Sequence, residues 1–161
     1  MDISIKTMTI DYANQVIEWK YDDKYSIYNH DKSFLSECND GMHFAFIDEK
    51  NNLLGYMCFG IEAQIPTDEI NVYHDDYLDI GLHINPNLIG KGHGKIFLNL
   101  CTKFANTHFG KFKLSATIAK FNDRAQTLFI NAGFYKARTI HHKISKKEFV
   151  ILLNTQTTTL Q

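Results

Sequence analysis

The stretch that decides the fold runs from residue 78 to residue 95 and reads LDIGLHINPNLIGKGHGK. Its first seven residues alternate between apolar side chains and Asp79, Gly81 and His83, and this period of two predicts a β-strand. Four of the chain's nine glycines lie between Gly81 and Gly94. Helical spacing of apolar residues follows over 92–108. The stretch therefore predicts a strand that enters a helix through a glycine-rich turn.

The elements on either side complete a mixed α/β pattern. Alternation returns over 112–118, so the strand, helix and strand form a crossover unit whose two strands are parallel. A helix capped by Asp11 and a helix ending at Gly133 are also expected. The remaining expected elements are a strand over 3–10, a helix over 34–38, a hairpin over 44–61, and strands over 134–144 and 148–153. Together they predict a mixed sheet with helices on its faces.

Length and charge limit the classes of function. The chain has 161 residues, of which 44% are apolar, so it can bury a sizeable core. Its net charge of −1 provides no basic surplus for nucleic acid or for an anionic membrane. Without a linker or a repeat, residues 1–154 are expected to form one domain, followed by a polar tail at 155–161. Any anion must be held by a local feature.

The cysteines and the first residues bear on the compartment. Three cysteines at wide spacing inside apolar patterns are typical of reduced, packed thiols. No export signal or membrane span is visible in the sequence, so a cytoplasmic protein is expected.

The glycine-rich turn is the best candidate for such a local feature. Its backbone N–H groups would be left without partners and would bind a phosphate group, with Lys91 and Lys95 adding charge. The spacing G-x-G-x-G fits neither a Rossmann fingerprint nor a P-loop. The alternative is that the glycines only make a tight turn.

Two segments together resemble the GNAT N-acetyltransferase superfamily. The first signature of that family, Q/R-x-x-G-x-G/A, falls on residues 89–94. The second requires an Asn, an Ala, an aromatic residue and Gly-Phe at fixed spacing. It is matched by Asn122, Ala125, Phe129, Gly133 and Phe134. Residues 19–29 and 78–94 also resemble a bacterial subgroup of this family, whose acceptor we cannot name.

The resemblance implies a fold and a cosubstrate. The fold would be an α+β sheet of about seven strands, mostly antiparallel, with one parallel pair splayed apart to hold acetyl-CoA. The pantetheine amides would pair with the strand edge, and the pyrophosphate would lie on the turn, while Asn122 would either contact the pantetheine, cap the following helix, or do both. The implied cofactor residues are Leu82, His83, Ile84, Ile89, Gly90, Lys91, Gly92, His93, Gly94, Lys95, Asn122, Ala125 and Phe129.

Two residues depart from the family pattern. Ile89 stands where Gln or Arg is usual, which removes a side-chain contact to the phosphates. Phe129 stands where many members carry a Tyr that protonates the departing thiolate. Transfer would then proceed without that acid, or with Tyr135 or water in its place.

The implied reaction is direct attack of a neutral amine on the acetyl thioester. An alkyl amine has a pKa of about 10.4, so a base must take its proton, and a backbone N–H of Leu82 or His83 would stabilise the oxyanion. Asp79 and His83 are the candidates for the base, with the pKa of a histidine the better match. The alternative is that both lie on a polar sheet face without a role.

The acceptor is expected to be a small-molecule amine or a protein amine, bound by a monomer or a homodimer. Trp19, Tyr21, Tyr25 and Tyr28 could form an aromatic wall for a cationic amine, or could simply pack the connector between two helices. No metal site is expected, because His141 and His142 point to opposite sides of a strand. Two other classes remain open, a catalytically idle acyl-CoA-binding or regulatory module and a nucleotide-binding domain.

Overall fold

The structure is a computed structural model that describes residues 2–110 and 113–155. Seven strands and four α-helices are seen in that part of the chain, with three short 3-10 segments at Asp23–Tyr28, Gly60–Ala63 and Pro86–Leu88. The strands lie in the order β1-β2-β3-β4-β5-β7-β6, and one neighbouring pair is parallel. This confirms the predicted α+β fold with a mostly antiparallel sheet. The elements are β1 (Ser4–Thr7), α1 (Ile10–Glu18), α2 (Phe34–Glu37), β2 (His43–Ile47), β3 (Leu53–Phe59), β4 (Leu78–Ile84), α3 (Gly94–Phe109), β5 (Leu114–Ala119), α4 (Asp123–Asn131), β6 (Tyr135–His141) and β7 (Glu148–Asn154).

The chain divides into two compact units. Unit 1 contains the residues up to Cys58 together with Leu82–His93, and unit 2 contains Phe59–Gly81 and the residues from Gly94 onward. Strand β4 contributes its first half to unit 2 and its second half to unit 1. A single domain over 1–154 stays a prediction, and residues 156–161 of the predicted tail lie outside the described residues.

Unit 1 is built on a hairpin of two fully buried strands. Every residue of β2 and β3 is buried, and the rings of Trp19 and Phe34 pack on Tyr56 of β3. Strand β1 pairs antiparallel with β2. The predicted cap at Asp11 is wrong: α1 begins at Ile10, and the Thr9 hydroxyl accepts the N–H of Tyr12 at 3.2 Å. Asp11 lies in the first turn, where a carboxylate favours the helix dipole.

Unit 2 contains the parallel pair. Leu78 lies opposite Leu114 and Asp79 opposite Ser115, which confirms the parallel arrangement of β4 and β5. Strands β5, β7 and β6 continue as an antiparallel ladder, in which β7 is central and β6 is mostly exposed. The apolar face of α3 is buried through Phe97, Leu98 and Cys101. The core of the unit therefore lies between helices and the inner strands.

Several boundaries differ from the sequence prediction. Helix α3 begins at Gly94 and not at residue 92, because Gly90 and Gly92 have φ values of 79° and 80° that a helix does not contain. Strand β5 begins at Leu114, and the predicted start at Phe112 lies outside the described residues. Helix α4, in contrast, ends at Asn131 with Ala132 as its C-cap, and Gly133 follows with a φ of 101°, which confirms the predicted glycine after this helix.

The structure describes the thiols and the helices that the compartment prediction used, and the cytoplasmic location stays a prediction. Cys38, Cys58 and Cys101 are free and buried, as expected for packed thiols. Within the described ranges, none of the helices is long and apolar enough to cross a membrane.

Candidate active site

The second half of β4 lies close against β3 in unit 1. The carbonyl oxygen of His83 is so near Gly55 that a Cβ atom added to this glycine would be 2.6 Å from it. The next contact is the Asn85 N–H, which donates to the Leu54 carbonyl at 2.9 Å. Since the backbone groups of a strand alternate, those of His83 face β3 and those of Leu82 and Ile84 face away from it. The N–H groups of Leu82 and Ile84 therefore point to the side on which another strand-like partner would pair, where the Ile84 carbonyl also accepts the Tyr21 hydroxyl at 2.7 Å.

Within unit 2, the described pairing of β4 with β5 covers only the first two residues of β4. The parallel register stops at Asp79 and Ser115, although both strands continue within unit 2. Ile80 and Gly81 thus have no β5 partner in the described ladder. This early end to the pairing is consistent with the splayed pair that the family resemblance implies, and the cleft itself stays a prediction.

The glycine-rich turn contains backbone N–H groups that find no acceptor in the described part of the chain. Asn85 begins it as a cap, its side-chain oxygen accepting the Asn87 N–H at 3.0 Å. The Ile89 N–H donates to Pro86 at 3.3 Å, and no acceptor within the described residues is found for the N–H groups of Gly90 to His93. Gly90 and Gly92 have positive φ, and a Cβ on Gly92 would meet nothing within 4 Å. The turn is an open nest of donors with the chemistry to bind an anion.

Gly94 has a different reason to be glycine. It is the first residue of α3 in unit 2, and a Cβ there would lie 3.0 Å from the Leu128 side chain of α4. This position therefore allows close packing of two helices. The signature thus combines two conformational glycines in the turn with one packing glycine.

His83 is the candidate base in unit 1. Its imidazole stacks on the Tyr56 ring, with centroids 4.4 Å apart and planes 7° from parallel. Burial is the main cause that lowers the pKa of His83 to about 3, and His30 and His43 lower it further. His83 is therefore neutral near pH 7 but a weaker base than a histidine of ordinary pKa, so the pKa argument that favoured it in the sequence is wrong.

Asp79 is the candidate base in unit 2. It is only 6% exposed, and its carboxylate accepts the Gln64 side-chain amide at 2.8 Å and a hydrogen bond from the Ser115 side chain. Burial raises the pKa of Asp79, while these two hydrogen bonds lower it. A carboxylate with a raised pKa is better suited to accept a proton than one in water. Asp79 is thus buried among polar partners, and whether it has a role in the reaction stays a prediction.

The four aromatic residues of the predicted acceptor wall all belong to unit 1. The ring of Trp19 stacks on that of Tyr56, with centroids 6.3 Å apart. The centroid of the Tyr28 ring lies 6.1 Å from that of Tyr21 and 6.5 Å from that of Tyr25. The Tyr21 hydroxyl donates to the Ile84 carbonyl at 2.7 Å, and burial raises the pKa of this phenol. These contacts tie the connector to the end of β4, so the residues pack the structure whether or not they also bind an acceptor.

The second signature lies on α4 and β6 in unit 2. Asn122 caps α4, its side-chain oxygen accepting the Ala125 N–H at 3.1 Å. Phe129 is buried and meets Phe134 edge to face, with ring centroids 5.1 Å apart. Tyr135 begins β6 and is 49% exposed. These contacts establish capping and core packing, and the cofactor roles of Asn122, Ala125 and Phe129 stay predictions.

Sequence reasoning missed three residues. Tyr56 and His30 stand in the layer around His83, and Gln64 holds Asp79. None of them belongs to a motif, and Tyr56 reads as an ordinary apolar strand residue. Only the alternation along β3 places its side chain on a definite face.

The chain matches the sequence model of one enzyme family. A sequence model described as the acetyltransferase (GNAT) family matches residues 12–134. The chain belongs to the GNAT acetyltransferase family, and the predictions of this family, of an enzyme and of acetyl transfer to an amine are thereby confirmed. The family uses acetyl-CoA as its acetyl donor. No curated protein sequence matches the chain significantly.

Solved structures with the same fold have low sequence identity to the chain. A chimera of spermidine N-acetyltransferase SpeG from Vibrio cholerae and hSSAT is 15% identical, with a TM-score of 0.70 over 96% of this chain and 95% of that one. A GNAT-family acetyltransferase from Bacillus anthracis is 16% identical, with a TM-score of 0.70 over 94% and 93%. Mutant forms of the spermidine/spermine N-acetyltransferase SpeG from Vibrio cholerae are 17% identical, with a TM-score of 0.66 over 94% and 93%. At these identities the likeness shows the fold.

Proposed function

We propose that this acetyltransferase binds acetyl-CoA through β4 and the turn after it, and transfers the acetyl group directly to a primary amine. The observation that carries the proposal is the run from Gly90 to His93, whose N–H groups have no acceptor among the described residues, in a chain whose family match spans residues 12–134. Such a nest favours a pyrophosphate without a basic surface, which suits a net charge of −1.

The strand edge would hold the pantetheine arm. The amides of Leu82 and Ile84 face away from β3, so they are oriented to pair with the two amides of the arm as an added strand would. The N–H of Leu82 is then the better of the two candidates for the oxyanion, because the His83 backbone faces β3.

The chemistry requires three changes of bonding. The amine nitrogen forms a bond to the acetyl carbon, the carbon–sulfur bond breaks, and one proton leaves the nitrogen. A buried carboxylate of raised pKa makes Asp79 a suitable final acceptor of this proton, directly or through water. The CoA thiol has a pKa of about 8.5, so the thiolate leaves near neutral pH without the acid that Phe129 cannot supply.

The acceptor is proposed only as a primary amine, from a small molecule or a protein. The names of the similar structures add spermidine and spermine to the amines worth testing. We propose a cytoplasmic location because the cysteines are free and buried. We propose a bacterial source because the sequence resembles a bacterial subgroup of the family.

The phosphate nest is tested by Gly92→Glu, which places a carboxylate and a side chain where the pyrophosphate would lie. Gly41→Glu is the matched control, because Gly41 has a φ of 73° and also has nothing within 4 Å of an added Cβ. Calorimetric titration with CoA should show binding to the wild type and to the Gly41 variant, and none to the Gly92 variant. Equal affinity in all three would contradict the assignment of the turn.

Catalysis is tested by the release of free thiol from acetyl-CoA across a panel of amines. The panel should contain a polyamine, an amino acid, an aromatic amine and a lysine peptide. Turnover with at least one amine is expected. Tight CoA binding without turnover on any amine would favour the idle acyl-CoA-binding module.

A further inference from the structure

A stack of polar rings lies at the centre of unit 1. Tyr56 is in the middle of β3 and is 1% exposed, and its ring lies parallel to the His83 imidazole at 4.4 Å. His83 is near the end of β4, where the carbonyl of the same residue is held against Gly55. One face of the imidazole is therefore covered by a ring that is itself fixed in the core.

The Tyr56 hydroxyl has its partner on the connector. It lies 2.7 Å from Nε2 of His30, and His30 is the hydrogen-bond partner found for it among the described residues. Because a buried phenol must donate its proton, we assign Nε2 of His30 as the acceptor and Nδ1 as the protonated nitrogen. The His30 ring in turn stacks on buried Phe34 at 4.4 Å.

We propose that His30 and Tyr56 are positioning residues for His83, and that they hold its imidazole neutral and in one orientation toward the acceptor amine. The hydrogen bond fixes the Tyr56 ring, and the ring fixes His83 by stacking. This inference rests on the proposed function, in which acetyl-CoA lies along β4, and it adds that the amine approaches the thioester beside His83. His83 then orients the amine by a hydrogen bond, and the proton of the reaction is taken elsewhere.

The surroundings support an uncharged His83. The groups that face it are Tyr56 on β3, His43 on β2 and His30 on the connector. The two histidines disfavour a further positive charge, and burial acts in the same direction on the pKa of His83. For His30, burial lowers the pKa, while Glu37 and Asp31 oppose this.

The charge of His83 is measured by following the ring C–H signals of the histidines by NMR against pH. In the wild type, the His83 signal should not titrate between about pH 5 and 8, where a histidine in water does. Tyr56→Leu replaces the stacked ring with a smaller side chain, which leaves room for water beside the imidazole. Because burial is the main cause that lowers the pKa of His83, its titration should then move into that range. Tyr73→Leu, a partly buried tyrosine of unit 2, is the control and should leave the His83 signal unchanged.

Two results would overturn the inference. One is a wild-type His83 that titrates near its ordinary pKa. The other is a Tyr56→Leu protein with a native spectrum in which His83 still does not titrate. Should Tyr56→Leu fail to fold, Tyr56→Phe provides the second variant, since it keeps the ring and loses only the hydroxyl. Its His83 should stay neutral while its signal broadens from exchange between ring orientations, and a sharp, unchanged signal would count against positioning by the hydrogen bond.

Kinetics separate positioning from cofactor binding. His30→Gln retains an oxygen that can accept the Tyr56 proton, whereas His30→Leu does not. We expect kcat to fall about tenfold in the Leu variant, which corresponds to about 1.4 kcal/mol, and less in the Gln variant, with KM for acetyl-CoA unchanged in both. Equal losses in the two variants would contradict the role of the hydrogen bond. Because the NMR titration needs no turnover, it can fail or succeed independently of the proposed function.

Discussion

At the scale of single residues, two positions on or beside β4 are explained by contacts that no motif shows. Gly55 is a glycine because the His83 carbonyl occupies the place of its Cβ. Asp79 is a buried carboxylate that Gln64 and Ser115 keep supplied with hydrogen bonds. Gly55 lies against the end of β4 and Asp79 lies on β4, and a substitution at each position tests its role.

Gly55→Ala should destabilise the protein by about 1–3 kcal/mol, because the new methyl group must push the end of β4 away from β3. It should also weaken CoA binding, since the strand edge moves. Denaturant unfolding and calorimetry measure the two effects. Gly41→Ala, which creates no contact within 4 Å, should keep CoA affinity. An unchanged stability for Gly55→Ala would show that β4 can move freely.

Asp79→Asn should separate charge from structure. Burial raises the pKa of Asp79 in the folded protein above its value in the unfolded chain. Between these two pKa values the native state binds more protons than the unfolded state. The contribution of Asp79 to stability therefore falls as pH rises through that interval. The asparagine variant should lack this loss and be at least as stable as the wild type at neutral pH. Unfolding measured at several pH values tests it, and a strongly destabilised variant would contradict it.

The same substitution has an expected effect on activity. If Asp79 takes the proton of the amine, kcat should fall by at least about a hundredfold while the fold is retained. Activity close to that of the wild type would remove Asp79 from the proposed mechanism and leave the CoA site untouched.

At the scale of elements, the glycine turn and the start of α4 show how one residue type serves different purposes. Gly90 and Gly92 supply positive φ to the turn, and Gly94 allows α3 to approach Leu128. Asn122 caps α4 through its side-chain oxygen. Capping alone would be satisfied by several residue types, whereas a contact to pantetheine would need the amide.

Substitution of Asn122 distinguishes these two roles. Asn122→Ala should cost about 1 kcal/mol of stability, and Asn122→Ser should recover most of it, because serine is also a good cap. CoA affinity should be reduced in both variants, since neither carries the amide. Recovery of affinity together with stability in the serine variant would show that Asn122 acts only as a cap.

At the scale of the whole molecule, the proposed CoA site predicts that the cosubstrate stabilises the native protein against unfolding. A ligand that binds only the native state at a hundred times its Kd adds about 2.7 kcal/mol. For a chain of this length CoA should raise Tm by about 5–10 °C at that concentration. ATP and NAD should have a much smaller effect. A larger shift with either nucleotide than with CoA would support the nucleotide-binding alternative.

The residue patterns predict the mixed sheet with helices on its faces, the parallel pair and the glycine turn, because period-two and helical patterns and glycine spacing are local properties of the chain. The two family signatures, at residues 89–94 and 122–134, were also enough to predict the GNAT family. Only the tertiary structure decided that Thr9 and not Asp11 caps α1, since neighbouring polar residues compete for a cap. It alone brought His30 to Tyr56 and Gln64 to Asp79, because contacts between distant residues and the burial that shifts their pKa values depend on the packed fold.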